Sequence, residues 1–232
     1  MTTLKNYLLA HESKINAKNE GYMFDLKYRI GLLKSRYGND KDALALFKDI
    51  YKHHIKKKYN DTQPSYYLPI LYALSDSYLR NGLLDSSYYF NKKGYLESLL
   101  NKDSINLNYF IFEQGLVEYE RNNYIPAIDS LKKAMPVIGY NNDLANISFG
   151  HYYLGKSYLE IKKNSKAIES FRTVDSIYQI TKDIHPDLRS SYIHLIDFYK
   201  KENNLEKELE YVKKLLVVDD GLNTSYKIIN KS

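Results

Sequence analysis

Hydrophobic residues recur along this chain at spacings of three and four, the periodicity of an α-helix with one buried face. In the clearest stretch, Leu154, Tyr158 and Ile161 are followed, after a short polar interval, by Ile168 and Phe171. No strand-like alternation of apolar and polar residues lasts long enough to compete with this pattern. The sequence therefore predicts an all-α protein.

Short polar turns divide the predicted helices into five pairs. Glycine and asparagine recur in these turns, and both tolerate the left-handed backbone conformation that ends a helix. We expect Asp40, Asn123 and Ser165 to cap the helices that follow them. The predicted helices span about 22–37 and 41–58, 64–80 and 85–100, 104–121 and 124–138, 144–162 and 165–181, and 187–202 and 205–218.

A repeated set of residues indicates that the five pairs are equivalent units. A small or apolar residue recurs with gaps of 44, 40, 40 and 41, at Gly31, Ser75, Gly115, Gly155 and Ile196. Twelve residues after each come Ala43, Ser87, Ala127, Ala167 and Glu208, and four further on Phe47, Asn91, Leu131, Phe171 and Val212. Glycine inside a helix costs about 1 kcal/mol relative to alanine, so its recurrence implies that two helices approach closely there. Self-similarity at a fixed period predicts a solenoid.

The repeated residues resemble the tetratricopeptide repeat (TPR), most clearly at Leu154-Gly155, Tyr158, Ala167 and Phe171. The resemblance covers about 24–218 and implies a right-handed superhelical solenoid of about five helix pairs. The chain departs from the family in its period of 40–44 residues, against a usual period of about 34, and in having no tryptophan. The longer period predicts longer helices.

The chain is therefore predicted to be one solenoid domain over 1–232, with five repeats over 24–218. Terminal elements of a solenoid must cover the ends of its core. We expect an N-terminal capping helix within 1–20, over about 3–18, and a C-terminal capping segment over 219–232 that contains a short helix over about 221–231.

In the TPR family the first helix of each pair lines a concave groove, and this resemblance gives a set of candidate partner-binding residues. Four aromatic residues each lie three positions before a small residue of the repeat, and the other four candidates are charged. The set is Tyr28, Arg36, Tyr72, Asp76, Arg80, Phe112, Tyr152 and Lys156. Arg36 and Arg80 are expected to hold a carboxylate of an extended peptide or a helix. An aromatic stripe at helical spacing is also typical of a core, so both interpretations of the aromatic residues stay open.

The sequence gives no sign of catalysis. It contains no cysteine, which excludes disulfides, thiolate catalysis and cysteine-ligated zinc. It has no glycine-rich phosphate loop and no HExxH motif, and its six histidines form no metal-spaced cluster. We therefore expect a non-enzymatic protein without a cofactor or a metal.

Charge and hydropathy add little to this picture. The net charge is +6, with one dense basic run over 52–58 that is typical of a solvated helix end and also suits an acidic partner. The longest apolar runs are far shorter than the roughly 18 residues that a membrane span needs. No membrane span is expected within the chain.

Residues 213–227 resemble the segment that closes the repeat region in membrane-anchored sensor-regulators of the Bacteroidetes type. In those proteins a membrane helix and a cytoplasmic AraC-type helix-turn-helix domain follow the repeats. The resemblance implies the sensory or dimerising region of a larger transcriptional regulator, on the periplasmic side of a membrane, with its output domain beyond Ser232. Such a region binds no nucleic acid directly.

Three functions remain as hypotheses. The first is a protein- or peptide-interaction module of such a regulator, with a ligand in the concave groove and with self-association. The second is a free-standing adaptor or peptide receptor, which would be cytoplasmic and would use the same groove. The third is an RNA-binding solenoid, suggested by the basic run and by 25 tyrosines.

Overall fold

The computed structural model describes residues 20–56 and 64–229, and within these ranges the chain forms ten α-helices and no strand. The helices are α1 (Glu20–Arg36), α2 (Asp40–Lys56), α3 (Pro64–Arg80), α4 (Leu84–Leu100), α5 (Ser104–Glu120), α6 (Tyr124–Tyr140), α7 (Leu144–Glu160), α8 (Asn164–Thr181), α9 (Pro186–Lys201) and α10 (Leu205–Ile229). The prediction of an all-α protein is confirmed, and the boundaries of the first nine helices lie within about two residues of those expected. The predicted N-terminal helix lies outside the described residues.

Each odd-numbered helix packs against the even-numbered helix that follows it, and each pair packs against the next. The odd-numbered helices α3, α5, α7 and α9 also contact one another in sequence along the stack. They therefore form the inner layer of a superhelix, and the even-numbered helices form the outer layer. This is the stack of helix pairs that the repeat predicts.

Glycines of the repeat allow the two helices of a pair to approach closely. A Cβ atom placed on Gly155 would lie 2.5 Å from the ring of Phe171, and one on Gly31 would lie 2.6 Å from the ring of Phe47. Carbon atoms in van der Waals contact are about 3.5–4.0 Å apart, so neither position has room for a side chain. The close approach predicted from the repeated glycines is confirmed.

Every described connection between helices contains a residue in the left-handed region. Glycine occupies it at Gly38 and Gly82, as expected. In the other connections the residue is asparagine or lysine: Lys102, Asn122, Asn142, Lys162, Lys182 and Asn203. A left-handed residue thus recurs in all of these connections although their sequences differ.

The N-terminal caps differ from those predicted. The side chain of Asn123 makes no capping hydrogen bond, and α8 begins one residue before Ser165. Asp40 is itself the first residue of α2. The side chains that cap a helix are instead Asp103, Asp143, His185 and Asn204, which accept hydrogen bonds from backbone N–H groups three residues later.

The last helix also differs from the prediction, because α10 is continuous from Leu205 to Ile229 where a break near residue 220 was expected. Its second half packs against the connection between α8 and α9. A Cβ atom on Gly221 would lie 2.5 Å from Ile184, and Asp219 accepts a hydrogen bond of 2.6 Å from Arg189. These contacts stabilise a single long helix, so the predicted separate helix over 221–231 is wrong.

Candidate functional site

A cavity of about 860 Å³ lies on the inner side of the superhelix. Its walls come from α1, the beginning of α2, α3, α7, the beginning of α9 and the connection between α8 and α9. Apolar side chains line much of it, and the chief ones are Leu26, Ile30, Leu33, Tyr72 and Phe149. The cavity is thus bounded by helices that are far apart in the sequence.

An ion pair joins the two sides of this cavity. The guanidinium of Arg36, at the end of α1, contacts the carboxylate of Asp183 in the connection between α8 and α9. About a third of each side chain remains exposed. The first helix pair is therefore tied directly to the segment that begins the fifth pair.

A second arginine is held in the middle of the cavity. Nε of Arg80 donates to both carboxylate oxygens of Asp76 at 2.9 Å, and the guanidinium lies 4.9 Å from the ring centroid of Phe149. The aspartate and the aromatic ring fix the orientation of the guanidinium. The terminal nitrogens of Arg80 donate to no other group in the described part of the chain, so they remain free to bind a ligand acceptor.

Two carboxyl groups near Arg80 each have a buried oxygen atom without a hydrogen-bond partner among the described residues. Oδ1 of Asp40, in the cavity wall, accepts no hydrogen bond from the described residues, and burial raises the pKa of Asp40. Glu113 of α5 is fully buried; its Oε1 accepts from Ser75 at 3.3 Å, while its Oε2 has no partner among the described residues. Burial, and then the charge of Asp76, raise the pKa of Glu113 well above its usual value. Glu113 is therefore neutral under conditions in which an exposed glutamate is charged.

The structure brings four of the predicted site residues to the cavity: Arg36, Tyr72, Asp76 and Arg80. The ring of Tyr72 packs edge-on against Tyr109 at a centroid distance of 5.7 Å, and its other side faces the cavity. Burial, and then nearby carboxylates, raise the pKa of Tyr72 well above its usual value, so its hydroxyl stays protonated and can donate to a ligand.

The other four predicted site residues do not line the cavity. Phe112 is fully buried and Tyr152 is 9% exposed, so both belong to the core, and the groove interpretation is wrong for them. Tyr28 packs between α1, α2 and α3, where its hydroxyl donates to the carbonyl of Pro69 at 3.4 Å. All three side chains pack against aromatic rings of a neighbouring helix.

Lys156 is covered by tyrosines of its own chain. Its Nζ lies 4.4, 4.9 and 5.2 Å from the ring centroids of Tyr119, Tyr153 and Tyr152. Burial lowers the pKa of Lys156, and nearby carboxylates such as Glu120 oppose this effect. The predicted role of Lys156 in the groove is therefore not supported by its position.

The sequence did not indicate the residues that the fifth pair contributes to the cavity. They lie in and after a segment that reads as a simple turn between units: Asp183, His185 and Asp187. His185 caps α9 by accepting from the N–H of Leu188 through Nδ1 at 3.3 Å, and its Nε2 lies 3.4 Å from Ser148. The only signal was the concentration of titratable side chains in this turn.

Over residues 20–56 and 64–229, no group of three or more histidine or acidic side chains is arranged to hold a metal ion. No helix in the same ranges has both the length and the apolar character that crossing a bilayer requires.

No protein-family model matches this chain, and no curated protein matches it. Solved structures resemble it in shape. BtubC (BKLC) from P. vanneervenii superposes with a TM-score of 0.61 at 16% identity, over 95% of this chain and 88% of that one. Rap protein complexed with Competence and Sporulation Factor gives 0.64 at 10% identity, over 96% and 71% of the two chains.

The nearly identical TPR-like repeats of a kinesin light chain from Podosopora anserina superpose with a TM-score of 0.53 at 14% identity, over 85% of this chain and 95% of that one. Identities this low establish similarity of fold alone. The fold of this chain is accordingly that of a TPR-like helical solenoid.

Proposed function

We propose that this chain is a non-catalytic interaction module that binds a short peptide segment of a partner in the inner cavity. The observation that carries this proposal is the cavity itself. Its volume of about 860 Å³ lies within the range of about 300–1,000 Å³ typical of ligand pockets. Apolar walls with a few fixed polar groups are the usual composition of such pockets.

The polar groups suggest how a peptide is oriented. Arg80 is positioned by Asp76 and Phe149, and its terminal N–H groups face a ligand without first losing a partner. Arg36 is already paired with Asp183, so a carboxylate that bound it would have to compete with that aspartate. A carboxylate or a backbone carbonyl is therefore expected at Arg80, with an apolar side chain against Tyr72 and Phe149.

A neighbour of similar fold supports this proposal. Rap protein was solved in complex with Competence and Sporulation Factor, and it superposes on 96% of this chain. A helical stack of this shape can therefore accommodate a bound factor.

The proposal also concerns the kind of protein to which this interaction module belongs. The resemblance of residues 213–227 to the closing segment of membrane-anchored regulators favours a sensory region on the periplasmic side of a membrane. A free-standing adaptor would use the same cavity and is equally compatible with the fold. Sequencing the gene beyond the codon for Ser232 distinguishes them, because only the regulator continues into about 20 apolar residues and a helix-turn-helix.

Binding is tested with peptides selected from a random heptapeptide display library on the immobilised full chain. The affinity of the selected peptides is then measured for the wild type and for the double variant Tyr72→Ala, Arg80→Ala, which should bind at least about 10-fold more weakly. The matched control is Tyr140→Ala, Arg121→Ala, because Arg121 also stacks on an aromatic ring, at 4.8 Å, but does not line the cavity.

Each variant is first shown by circular dichroism to keep the helix content and melting temperature of the wild type within a few degrees. Unaltered affinity of the Tyr72, Arg80 variant would place the site elsewhere. Equal losses in both double variants would mean that binding does not depend on the cavity. A library that yields no binder to the wild type would contradict the proposal.

A further inference from the structure

The last helix, α10, leaves an apolar face uncovered at the end of the stack. The repeat places Leu209 and Leu216 at positions that are buried in the two preceding pairs, where the equivalent residues are Ile128, Ile168, Met135 and Asp175. Those four are at most 8% exposed, whereas Leu209 is 53% exposed and Leu216 is 65% exposed. The difference arises because the next helix pair covers the position in the earlier repeats. Asp175, for example, accepts a hydrogen bond of 2.7 Å from Tyr192 of α9.

This face is a continuous stripe. Leu205, Leu209, Val212 and Leu216 are spaced by four, three and four residues, so they lie on one side of the helix. Leu205 is 78% exposed and Val212 is partly exposed. A solenoid whose terminal unit is meant to face water has a polar outer surface there. The apolar stripe of α10 therefore indicates that a second surface covers it.

Charges along one edge of the stripe identify that surface. Glu206 and Lys213 lie on the same edge, two helical turns or about 10 Å apart along the axis. Both are exposed, and in the described part of the chain neither forms an ion pair. Four other charged residues of α10 are paired within the chain: Lys207 and Lys214 with Glu210, and Asp219 with Arg189.

This edge carries one acidic and one basic residue. When a second copy of the helix runs antiparallel, the acidic residue of each copy faces the basic residue of the other. If two α10 helices pack antiparallel with Leu209 near a two-fold axis, each Glu206 lies beside Lys213 of the other copy, and the contact occurs twice. We propose that a second copy of this chain covers the stripe, through an antiparallel pairing of the two α10 helices about Leu209.

This interface lies apart from the inner cavity, since no residue of α10 lines the cavity. The dimer therefore leaves both cavities open, and its existence does not depend on peptide binding. The apolar stripe supplies the buried contact, and the Glu206–Lys213 pairs select the antiparallel register.

The test is sedimentation equilibrium of the full chain at about 1–100 µM. We expect the wild type to dimerise and Leu209→Glu to raise the dissociation constant at least about 10-fold. The matched control is Leu100→Glu, on the exposed face of α4, because Leu100 is as exposed as Leu205 at 78% but lies outside the stripe. This control should dimerise like the wild type.

Charge reversal tests the register. Glu206→Lys and Lys213→Glu should each weaken the dimer, because each creates two pairs of like charges, and the double variant should restore it. A wild type that remains monomeric over the whole range overturns the proposal. So does a Leu209→Glu variant that dimerises as well as the wild type. A double charge variant that stays as weak as the single ones overturns the antiparallel pairing.

Discussion

Replacing Gly155 with alanine adds one methyl group at the tightest point of a helix pair. The new Cβ atom would lie 2.5, 2.7 and 2.8 Å from three ring atoms of Phe171. Phe171 is fully buried. Because normal carbon contacts are about 3.5–4.0 Å, the ring has to move by about 1 Å in a close-packed core.

The change in the free energy of unfolding caused by Gly155→Ala is the sum of two opposing contributions. Overpacking of this kind costs about 1–3 kcal/mol, whereas exchange of glycine for alanine in a helix returns up to about 1 kcal/mol. The chain offers a matched control in Gly139 of α6, where the nearest atom to a new Cβ is 3.7 Å away. Gly139→Ala should therefore be as stable as the wild type or slightly more stable. The difference between the two variants isolates the overpacking cost of about 1–3 kcal/mol.

Urea unfolding followed by circular dichroism measures both variants against the wild type. We expect the midpoint to fall for Gly155→Ala and to stay or rise for Gly139→Ala. Replacing the ring with a smaller side chain in Phe171→Leu should relieve the clash. Gly155→Ala should therefore lower the free energy of unfolding by less in the Phe171→Leu variant than in the wild type. The packing argument is refuted if Gly155→Ala and Gly139→Ala unfold at the same midpoint.

Three further predictions concern buried and bridging polar groups. Burial raises the pKa of Glu113, so this group lowers the free energy of unfolding as pH rises above about 4.3, by up to about 1.4 kcal/mol per pH unit until the raised pKa is passed. The wild type should therefore lose stability relative to Glu113→Gln over this pH range, as urea midpoints of both proteins at several pH values would show. Asp143→Ala removes the cap of α7 and the hydrogen-bond partner of the Tyr109 hydroxyl, so it should lower the free energy of unfolding by about 1–2 kcal/mol. Asn123 makes no capping hydrogen bond, so Asn123→Ala should lower the free energy of unfolding by less than half as much in the same assay. Arg36→Ala frees the first pair from Asp183, so the radius of gyration from small-angle X-ray scattering should increase, and an unchanged value would contradict a role for this ion pair in the shape of the molecule.

The helix pairs could be predicted from the sequence because each pair is held by contacts between residues that lie close together in the chain. A glycine and a phenylalanine sixteen residues apart, as at Gly155 and Phe171, report a contact within one unit, and the same unit recurs along the chain. The direction of the aromatic side chains was harder to predict. A position on the first helix can face its partner helix, the next pair or the open side, and Phe112 and Tyr152 face the core.

The cavity could not be predicted from the sequence because it depends on the whole stack. Small rotations between successive pairs add up until α1 meets the connection between α8 and α9. Asp183 and His185 therefore line the same cavity as Arg36, although no local pattern links them. The left-handed conformation of lysines in the turns, such as Lys162, was also hard to predict from the sequence. The packing of the helices in the stack imposes this conformation, which lysine itself does not favour.

The contact between Arg36 and Asp183 also bears on how the protein unfolds. In an open linear array each unit interacts only with its neighbours, so the terminal units can fray independently while the middle persists. A direct link from the first unit to the segment that begins the fifth joins two units that are not neighbours in the array. Loss of the first unit then removes a contact from the fifth, and melting becomes more nearly all-or-none than the linear arrangement of the repeats would allow.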